Sequence, residues 1–182
     1  MKHARGFAAA VPRALTADDL ACDLGSGGGV PGLVLAVEVW PTSRWILLEG
    51  MAKRCELLEQ AVADLGIGDR VTVVHGRVEH VGRSDGQLRG RCTLVTARSF
   101  GPPRATAEAA APLLEVGGTL LVSEPPDSQG ERWPQEGLAA LGLVPSGVVR
   151  TEHAGYMVLR QDQPCPPAYP RSWKRQSRQP LF

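Results

Sequence analysis

Glycine is concentrated in one short segment, and that segment constrains the fold of this chain more than any other feature. Five of the eight residues from Gly25 to Gly32 are glycine, and the segment follows an apolar run at residues 20–22 that is typical of a β-strand. Glycine permits a tight turn and a close approach of the backbone to a ligand, and a helix that begins there offers free amide donors. A plain turn would not require this loss of backbone entropy. The segment therefore predicts a nucleotide-like ligand at a strand-to-helix turn.

Two acidic residues distinguish between the cofactors that such a loop could hold. Gly27, Gly29 and Gly32 satisfy the dinucleotide-binding pattern, but that pattern alone is a weak signal. Asp23 directly precedes the loop, where it would repel a pyrophosphate but would suit the ammonium group of S-adenosylmethionine. Glu49 ends the second apolar run, where a carboxylate can accept hydrogen bonds from ribose hydroxyls in either cofactor. We therefore expect S-adenosylmethionine rather than NAD.

The chain as a whole alternates short apolar runs with longer amphipathic stretches, which is the pattern of a parallel sheet covered by helices. Seven apolar runs are predicted strands: residues 20–22, 45–48, 71–74, 93–96, 119–122, 144–149 and 156–159. Helices are predicted at residues 33–39, around 58–65, at 104–114 and at about 131–141. Only residues 150–155 separate the last two strands, too few for a helical crossover, so these strands should pair antiparallel. We expect an α/β fold with a mostly parallel, seven-stranded sheet.

Composition excludes several classes of protein. With 182 residues, 43% of them hydrophobic, the chain can bury a core without disulfides or a structural metal. A net charge of +1 argues against a protein that coats nucleic acid through charge alone. The four cysteines match no zinc-binding or redox spacing, and His75 and His80 lack further ligands nearby, so no metal site is predicted. Without a long apolar run or a signal peptide at the N-terminus, we expect a cytoplasmic protein.

The last segment of the chain differs in charge from the rest. Residues 164–182 contain four basic side chains and no acidic one: Arg171, Lys174, Arg175 and Arg178. Tyr169 and Trp173 are interleaved with them. The sequence thus predicts a domain over residues 1–163 followed by a basic tail over residues 164–182. The tail is either an RNA-contacting arm, with rings that stack on bases and cations that reach phosphates, or a solubilising extension.

Five short motifs point to one known family. They are Asp23 to Gly32 (DLGSGGGVPG), Leu48 to Arg54 (LEGMAKR), Gly76 to Glu79 (GRVE), Val95 to Phe100 (VTARSF) and Tyr169-Pro170-Arg171. Together they resemble the glucose-inhibited division protein B family, whose members methylate nitrogen 7 of a guanine in 16S ribosomal RNA. The resemblance implies a doubly wound, mostly parallel, seven-stranded class I S-adenosylmethionine-dependent methyltransferase fold. It also implies a monomer that acts on 16S rRNA or the small ribosomal subunit, away from membranes.

The glycine loop, which suggests Asp23 and Gly27, and the same resemblance together give the residues expected to bind the cofactor. The set comprises Asp23, Gly25, Gly27, Val30, Glu49, Val78, Glu79 and Arg98. Within it, Gly25 and Val30 would contact the methionine and sugar portions, and Glu49 would hold the ribose. Val78 and Glu79 would flank the adenine ring.

Arg98 is the candidate catalytic residue. It ends the fourth predicted strand, where the family places an arginine at the junction of cofactor and substrate. Nitrogen 7 of guanine already carries a free lone pair, so no base must remove a proton, and positioning supplies most of the rate enhancement. We therefore expect Arg98 to orient the guanine or a phosphate, the alternative being a salt bridge at the surface.

Three features depart from the family pattern. The chain has 22 residues before Asp23, where members usually carry several dozen. Glu124-Pro125 stands where a Lys-Gly pair is common, and Ala154 or Gly155 stands where the last strand usually opens with arginine. Loss of positive charge weakens attraction to RNA phosphates. Two alternatives therefore stay open: a diverged cofactor-binding paralogue without rRNA methyltransferase activity, and a small-molecule methyltransferase.

Overall fold

The computed structural model describes residues 2–83, 86–152 and 154–182, in which strands and helices alternate. The strands are β1 (Leu20–Leu24), β2 (Arg44–Glu49), β3 (Val71–His75), β4 (Cys92–Ala97), β5 (Leu114–Glu124), β6 (Leu143–Arg150) and β7 (Gly155–Gln161). The helices are α1 (Lys2–Ala10), α2 (Gly32–Val34), α3 (Ala52–Asp64), α4 (Val78–Val81), α5 (Pro103–Ala110), α6 (Gln135–Ala139) and α7 (Trp173–Arg178). A π-helical turn (Leu35–Val39) extends α2, and a 3₁₀ turn (Ala111–Leu113) extends α5.

All seven predicted strands form one sheet in the order β3-β2-β1-β4-β5-β7-β6. The first five strands are parallel, whereas β7 runs antiparallel between β5 and β6. The predicted mostly parallel sheet and its antiparallel final pair are therefore confirmed. The strand order reverses direction between β1 and β4, and open sheets bind ligands at the carboxyl ends of the strands that flank such a point.

Helices cover both faces of the sheet, which makes the fold doubly wound. One face is covered by α1, the π-helical turn after α2, and α3. They contribute Phe7, Leu35 and Leu58 to one buried cluster. On the other, α5 and α6 contribute Ala107 and Leu138 to a second cluster. The strands supply both clusters because successive side chains point to opposite faces.

Several predicted helices have different bounds in the structure. The helix expected at about 131–141 is confined to α6, because a proline in a helix interior lacks an amide donor and clashes with the preceding turn, so Pro134 stands before the first turn instead. The helix expected at 104–114 ends earlier, since Leu114 already begins β5. The π-helical turn takes over the second half of the helix expected at 33–39. No periodicity predicted α4 or α7, which are too short to show one.

Helix α1 was also not predicted, and its packing explains why it forms. Short isolated helices are marginal in water, so tertiary contacts must stabilise this one. The rings of Phe7 and Tyr156 meet edge to face with centroids 4.7 Å apart. Gly6 lies against the same tyrosine, where an added β-carbon would collide with the phenol ring. The N-terminal helix therefore belongs to the core.

Residues 164–182, referred to below as the C-terminal segment, pack against the domain instead of extending from it. Tyr169, Leu181 and Phe182 contact the second buried cluster. The Arg89 guanidinium donates hydrogen bonds to backbone carbonyls of Cys165, Pro166 and Tyr169 within the segment. The prediction of a domain over residues 1–163 with a separate tail is therefore corrected, because the C-terminal segment packs on the domain as part of its fold.

Candidate active site

The glycine loop lies at the point where the sheet order reverses. Gly25, Gly27 and Gly29 have φ values of 69°, 55° and 84°, a left-handed region that residues with a β-carbon rarely adopt. The amides of Gly25 and Ser26 both donate to the Leu48 carbonyl oxygen at 2.9 and 3.1 Å. These bonds fix the loop across the carboxyl ends of β1 and β2.

Asp23 lies beneath the loop rather than facing a ligand. Its side chain is buried, with 1% of the residue exposed. One carboxylate oxygen accepts from the Thr96 hydroxyl at 2.7 Å, and the other accepts from the Gly32 amide at 3.0 Å. A β-carbon on Gly32 would lie 2.4 Å from that of Asp23. The expectation of a direct contact with the ammonium group of the cofactor is therefore corrected: Asp23 ties the loop to β4.

Burial of the Asp23 carboxylate has an electrostatic cost. Desolvation raises its pKa from 3.8 to about 6. Hydrogen bonds from Thr96 and Gly32, and the nearby charge of Arg98, oppose that shift without cancelling it. Burial therefore favours the neutral form of this carboxyl group, which persists to a higher pH than in an exposed aspartate.

Glu49 joins the glycine loop to β2. Its carboxylate accepts hydrogen bonds from the backbone amides of Gly27 and Met51, both at 2.9 Å. The Arg54 guanidinium lies 3.9 Å away, and only 5% of Glu49 is exposed. A carboxylate offers about four lone-pair positions, so acceptor capacity remains for ribose hydroxyls.

A cleft of about 250 Å³ opens beside the loop, at the carboxyl ends of β1, β2 and β3. Its lining residues are Leu24, Gly25, Leu48, Gly50, Gly76, Arg77, Val78, Glu79, Phe100 and Trp173. Three of the predicted cofactor residues, Gly25, Val78 and Glu79, meet here. The cleft lining does not include Gly27, Val30, Glu49 or Arg98. The Gly27 amide donates to Glu49, which directly precedes the lining residue Gly50. Apolar walls, glycine surfaces and one carboxylate suit the adenosine part of S-adenosylmethionine. We call this cavity the cofactor cleft.

A second pocket of about 440 Å³ adjoins the cofactor cleft at the ends of β4 and β5. Its lining residues are Arg98, Ser99, Phe100, Gly101, Pro103, Val122, Ser123, Glu124, Pro125, Arg132 and Trp133. Phe100 lines both cavities, and Ser99 beside it has a φ of 53°, a strained conformation for a residue other than glycine. Arg98 is exposed at this pocket. We call it the acceptor pocket.

Glu124 lines the acceptor pocket, but its carboxylate is paired with neighbouring side chains. It is buried, and its carboxylate accepts from the Ser128 hydroxyl and from the Trp133 indole at 3.0 Å. The Arg132 guanidinium lies 3.6 Å from it. The charge of this acid is therefore balanced by Arg132, which reduces the loss of attraction to phosphates that the sequence predicts.

Arg150 lies beside the position at which family members usually carry an arginine. It pairs with Gly155 across the β6–β7 hairpin, and a β-carbon on Gly155 would lie 3.4 Å from the Arg150 guanidinium. That guanidinium donates to the backbone carbonyls of Pro126 and Ser128. The register of the predicted hairpin could have identified Arg150, whereas no sequence signal pointed to Arg132.

The cations of the C-terminal segment are not equivalent. Arg171 forms a bidentate pair with Glu108, and their side chains are 9% and 2% exposed. Arg171 is thus not free to contact a phosphate, which corrects its predicted role. Lys174, Arg175 and Arg178 are exposed and line a shallow pocket together.

Three further observations bear on the predictions. All four cysteines are free: Cys22, Cys55, Cys92 and Cys165. Across residues 2–83, 86–152 and 154–182, no group of three histidine, cysteine or acidic side chains could hold a metal ion. In the same part of the chain, every helix is too short or too polar to cross a membrane.

Solved structures place this fold in a known class. An RNA methyltransferase from Salinibacter ruber in complex with S-adenosyl-L-homocysteine superposes with a TM-score of 0.65 at 16% identity, over 91% of this chain and 94% of that one. A geranyl diphosphate C-methyltransferase from Streptomyces coelicolor gives 0.65 at 14% identity, over 88% and 80%. The protein has the class I fold of S-adenosylmethionine-dependent methyltransferases.

Sequence comparison gives the family. The pattern of rRNA small subunit methyltransferase G matches residues 7–131. Proteins named ribosomal RNA small subunit methyltransferase G are 36% identical in Acidothermus cellulolyticus, over 88% of this chain and 69% of that protein, and 33% identical in Parasynechococcus marenigrum, over 89% and 67%. The chain belongs to the rRNA small subunit methyltransferase G (GidB) family. The resemblance carried by the five motifs is confirmed.

Proposed function

We propose that this protein transfers the methyl group of S-adenosylmethionine to nitrogen 7 of a guanine in 16S rRNA. The observation that carries the proposal is the junction of the cofactor cleft with the acceptor pocket at Phe100, where Arg98 stands at the mouth. Methyl transfer requires a donor and an acceptor site that share one boundary. Membership of the family supplies the substrate class.

The cofactor would lie along the glycine loop. Glu49 would accept from the ribose, and Val78 with Glu79 would enclose the adenine. The glycine surfaces at Gly25 and Gly27 would admit the methionine portion, with Val30 beyond them. When bound, the cofactor supplies an electrophilic methyl group on a sulfonium. Asp23 acts indirectly, by holding the loop to β4.

The chain's own contribution to the reaction is positioning. Nitrogen 7 of guanine needs no deprotonation, so alignment of the acceptor supplies on the order of 7 to 11 kcal/mol of the barrier reduction. Arg98 would donate to guanine O6 or to a phosphate oxygen, and Phe100 offers an aromatic face to a base that has left its stack. The acceptor pocket is large enough to receive that base.

RNA binding would use the exposed cations around the acceptor pocket. Arg98, Arg132 and the neighbouring Arg104 are all exposed, and each neutralised phosphate strengthens binding in a salt-dependent way. The proposal includes the small ribosomal subunit or its RNA as partner, a monomeric enzyme, and a cytoplasmic location.

The proposal is tested by mapping methylated guanines in ribosomal RNA from cells with and without the gene. We expect one guanine of 16S rRNA to lose its N7 methyl group when the gene is deleted and to regain it when the gene is returned. The Arg98→Ala variant should methylate about 100-fold more slowly, which corresponds to about 2.7 kcal/mol. Its melting temperature should stay close to that of the wild type, because Arg98 is exposed.

Arg44→Ala provides a matched control, since it removes an exposed arginine at the amino end of β2, and Arg44 lines neither the cofactor cleft nor the acceptor pocket. It should retain most of the methylation rate. Normal methylation by Arg98→Ala with a large loss of thermal stability would instead assign Arg98 to a structural ion pair. Cofactor binding without any rRNA methylation would favour the non-catalytic paralogue.

A further inference from the structure

The largest exposed aromatic surface beside the cofactor cleft comes from the far end of the chain. Trp173 is 54% exposed and lines the cleft together with Gly25, Leu48 and Val78. The other three tryptophans are buried, at 6% exposure or less. Trp173 also lines a neighbouring cavity with Pro102 and Glu108, so the ring stands between two cavities with more than half of its surface open to solvent.

The position of Trp173 is fixed by the segment that carries it. Arg171, two residues earlier, is clamped by the Glu108 carboxylate through both its side chain and its backbone amide. Gln176, three residues later, is buried and donates to the Arg171 carbonyl at 2.8 Å. The backbone on both sides of Trp173 is therefore anchored, through Arg171, to α5, and a preorganised segment loses less entropy when a ligand arrives.

The location of the ring favours a cofactor over an RNA base as its partner. Trp173 shares the cleft with Val78 and Glu79, the proposed adenine residues. It does not line the acceptor pocket, where Arg98 and Arg132 stand. A base held by the acceptor-pocket cations would therefore be directed away from it.

We propose that Trp173 packs against the adenine ring of S-adenosylmethionine, so that the C-terminal segment forms one wall of the cofactor site. The inference rests on the proposed placement of the cofactor in the cofactor cleft. It differs from both roles that the sequence predicts for the segment, an RNA-contacting arm and a solubilising extension. It also lies outside the family match, which ends at residue 131.

Tryptophan emission gives a readout that is independent of methylation. S-adenosylhomocysteine added to the full chain should change the emission of Trp173, because its ring passes from solvent to a stacked environment. The Trp173→Phe variant should lose most of that change. It should keep its affinity within about threefold, since a phenyl ring still stacks.

Calorimetry then measures the contribution of the ring to binding. Trp173→Ala should weaken S-adenosylhomocysteine binding by about tenfold, within the range known for stacking of a base on an aromatic side chain. Lys174→Ala is the matched control, an exposed change at the next residue, and should bind as the wild type does. Because Trp173 is more than half exposed, the alanine variant should keep its circular dichroism spectrum and melting temperature.

Unchanged cofactor affinity in Trp173→Ala overturns the inference. The same holds if that variant binds the cofactor normally but loses affinity for ribosomal RNA, which would assign the ring to an RNA base. A wild-type protein that methylates no rRNA, yet binds S-adenosylhomocysteine tenfold more tightly than Trp173→Ala, supports the inference while the proposed function fails.

Discussion

The two cavities that meet at Phe100 use charge in opposite ways. On the cofactor side, the carboxylates of Asp23 and Glu49 are buried, and they accept hydrogen bonds from backbone amides. On the acceptor side, Arg98 and Arg132 are exposed. The first arrangement is preorganised, whereas the second leaves long side chains free to adapt.

This difference in charge exposure shows how the same edge of the sheet can bind two ligands of different size. A small cofactor of constant shape can be held by backbone and fixed carboxylates, with little side chain to reorganise. A polyanion approaches from solvent and is first attracted by exposed cations. Substitutions on the cofactor side should therefore change stability and cofactor affinity, while substitutions on the acceptor side should change RNA binding.

The largest expected effect concerns Asp23 and pH. Its pKa is about 6 in the folded protein against 3.8 as the ordinary value, so the folded state binds more protons between these values. The free energy of unfolding contributed by this group is therefore highest below pH 4 and falls by about 3 kcal/mol as pH rises through 6. In Asp23→Asn the amide can still accept from Gly32 and donate to Thr96, so this fall should be absent.

Urea unfolding from pH 4 to pH 7 measures this difference between the two proteins. Asp127→Asn, which removes an exposed carboxylate, should keep the wild-type profile. Parallel profiles for wild type and Asp23→Asn would show that burial does not penalise the Asp23 charge, and the contrast between the two cavities would lose its electrostatic basis.

An intermediate effect is expected at Glu49. Glu49→Ala should weaken S-adenosylhomocysteine binding by about 1 to 3 kcal/mol, because charge-assisted hydrogen bonds are lost and the Gly27 amide is left without its acceptor. Calorimetry measures the change, with Glu56→Ala on the exposed face of α3 as control. An unchanged dissociation constant would remove Glu49 from the cofactor site.

The smallest effect should lie on the acceptor side. Arg132→Ala should reduce the slope of log affinity for rRNA against log salt by about 0.7 to 0.9, the value of one phosphate contact, and leave cofactor affinity unchanged. Binding measured over a series of salt concentrations gives the slope. Arg5→Ala, on α1 and paired with Glu38, is the control. Equal slopes in all three proteins would mean that Arg132 serves only to neutralise Glu124.

The cofactor side was largely predictable from the sequence because backbone conformation and strand position determine it. Gly25 and Glu49 had to follow parallel strands, and the carboxyl ends of those strands meet at one edge. The sequence placed Asp23 correctly beside the loop. It did not show that its carboxylate would accept a hydrogen bond from Thr96, 73 positions away. Such a pairing becomes visible only when β1 and β4 are adjacent.

The acceptor side was less predictable because long-range contacts reverse the meaning of single residues. From the sequence, Glu124 was an acidic residue in place of a cation. In the structure its carboxylate accepts hydrogen bonds from Trp133 and Ser128. Arg171 looked like a phosphate ligand, yet it pairs with Glu108, 63 positions earlier. Charge alone does not say whether a side chain faces solvent or a partner, so local patterns could not decide these roles.

The pairing of Arg171 with Glu108 also bears on the order in which the molecule is assembled. A chain that folds as it is synthesised forms its N-terminal elements first. The glycine loop and β2 therefore leave the ribosome before Arg171 is synthesised. During that interval Glu108 has no Arg171 to pair with. If Trp173 forms one wall of the cofactor site, the chain reaches its full affinity for the cofactor only after residue 173 has been synthesised. Tight binding of the cofactor is then a property of the finished chain.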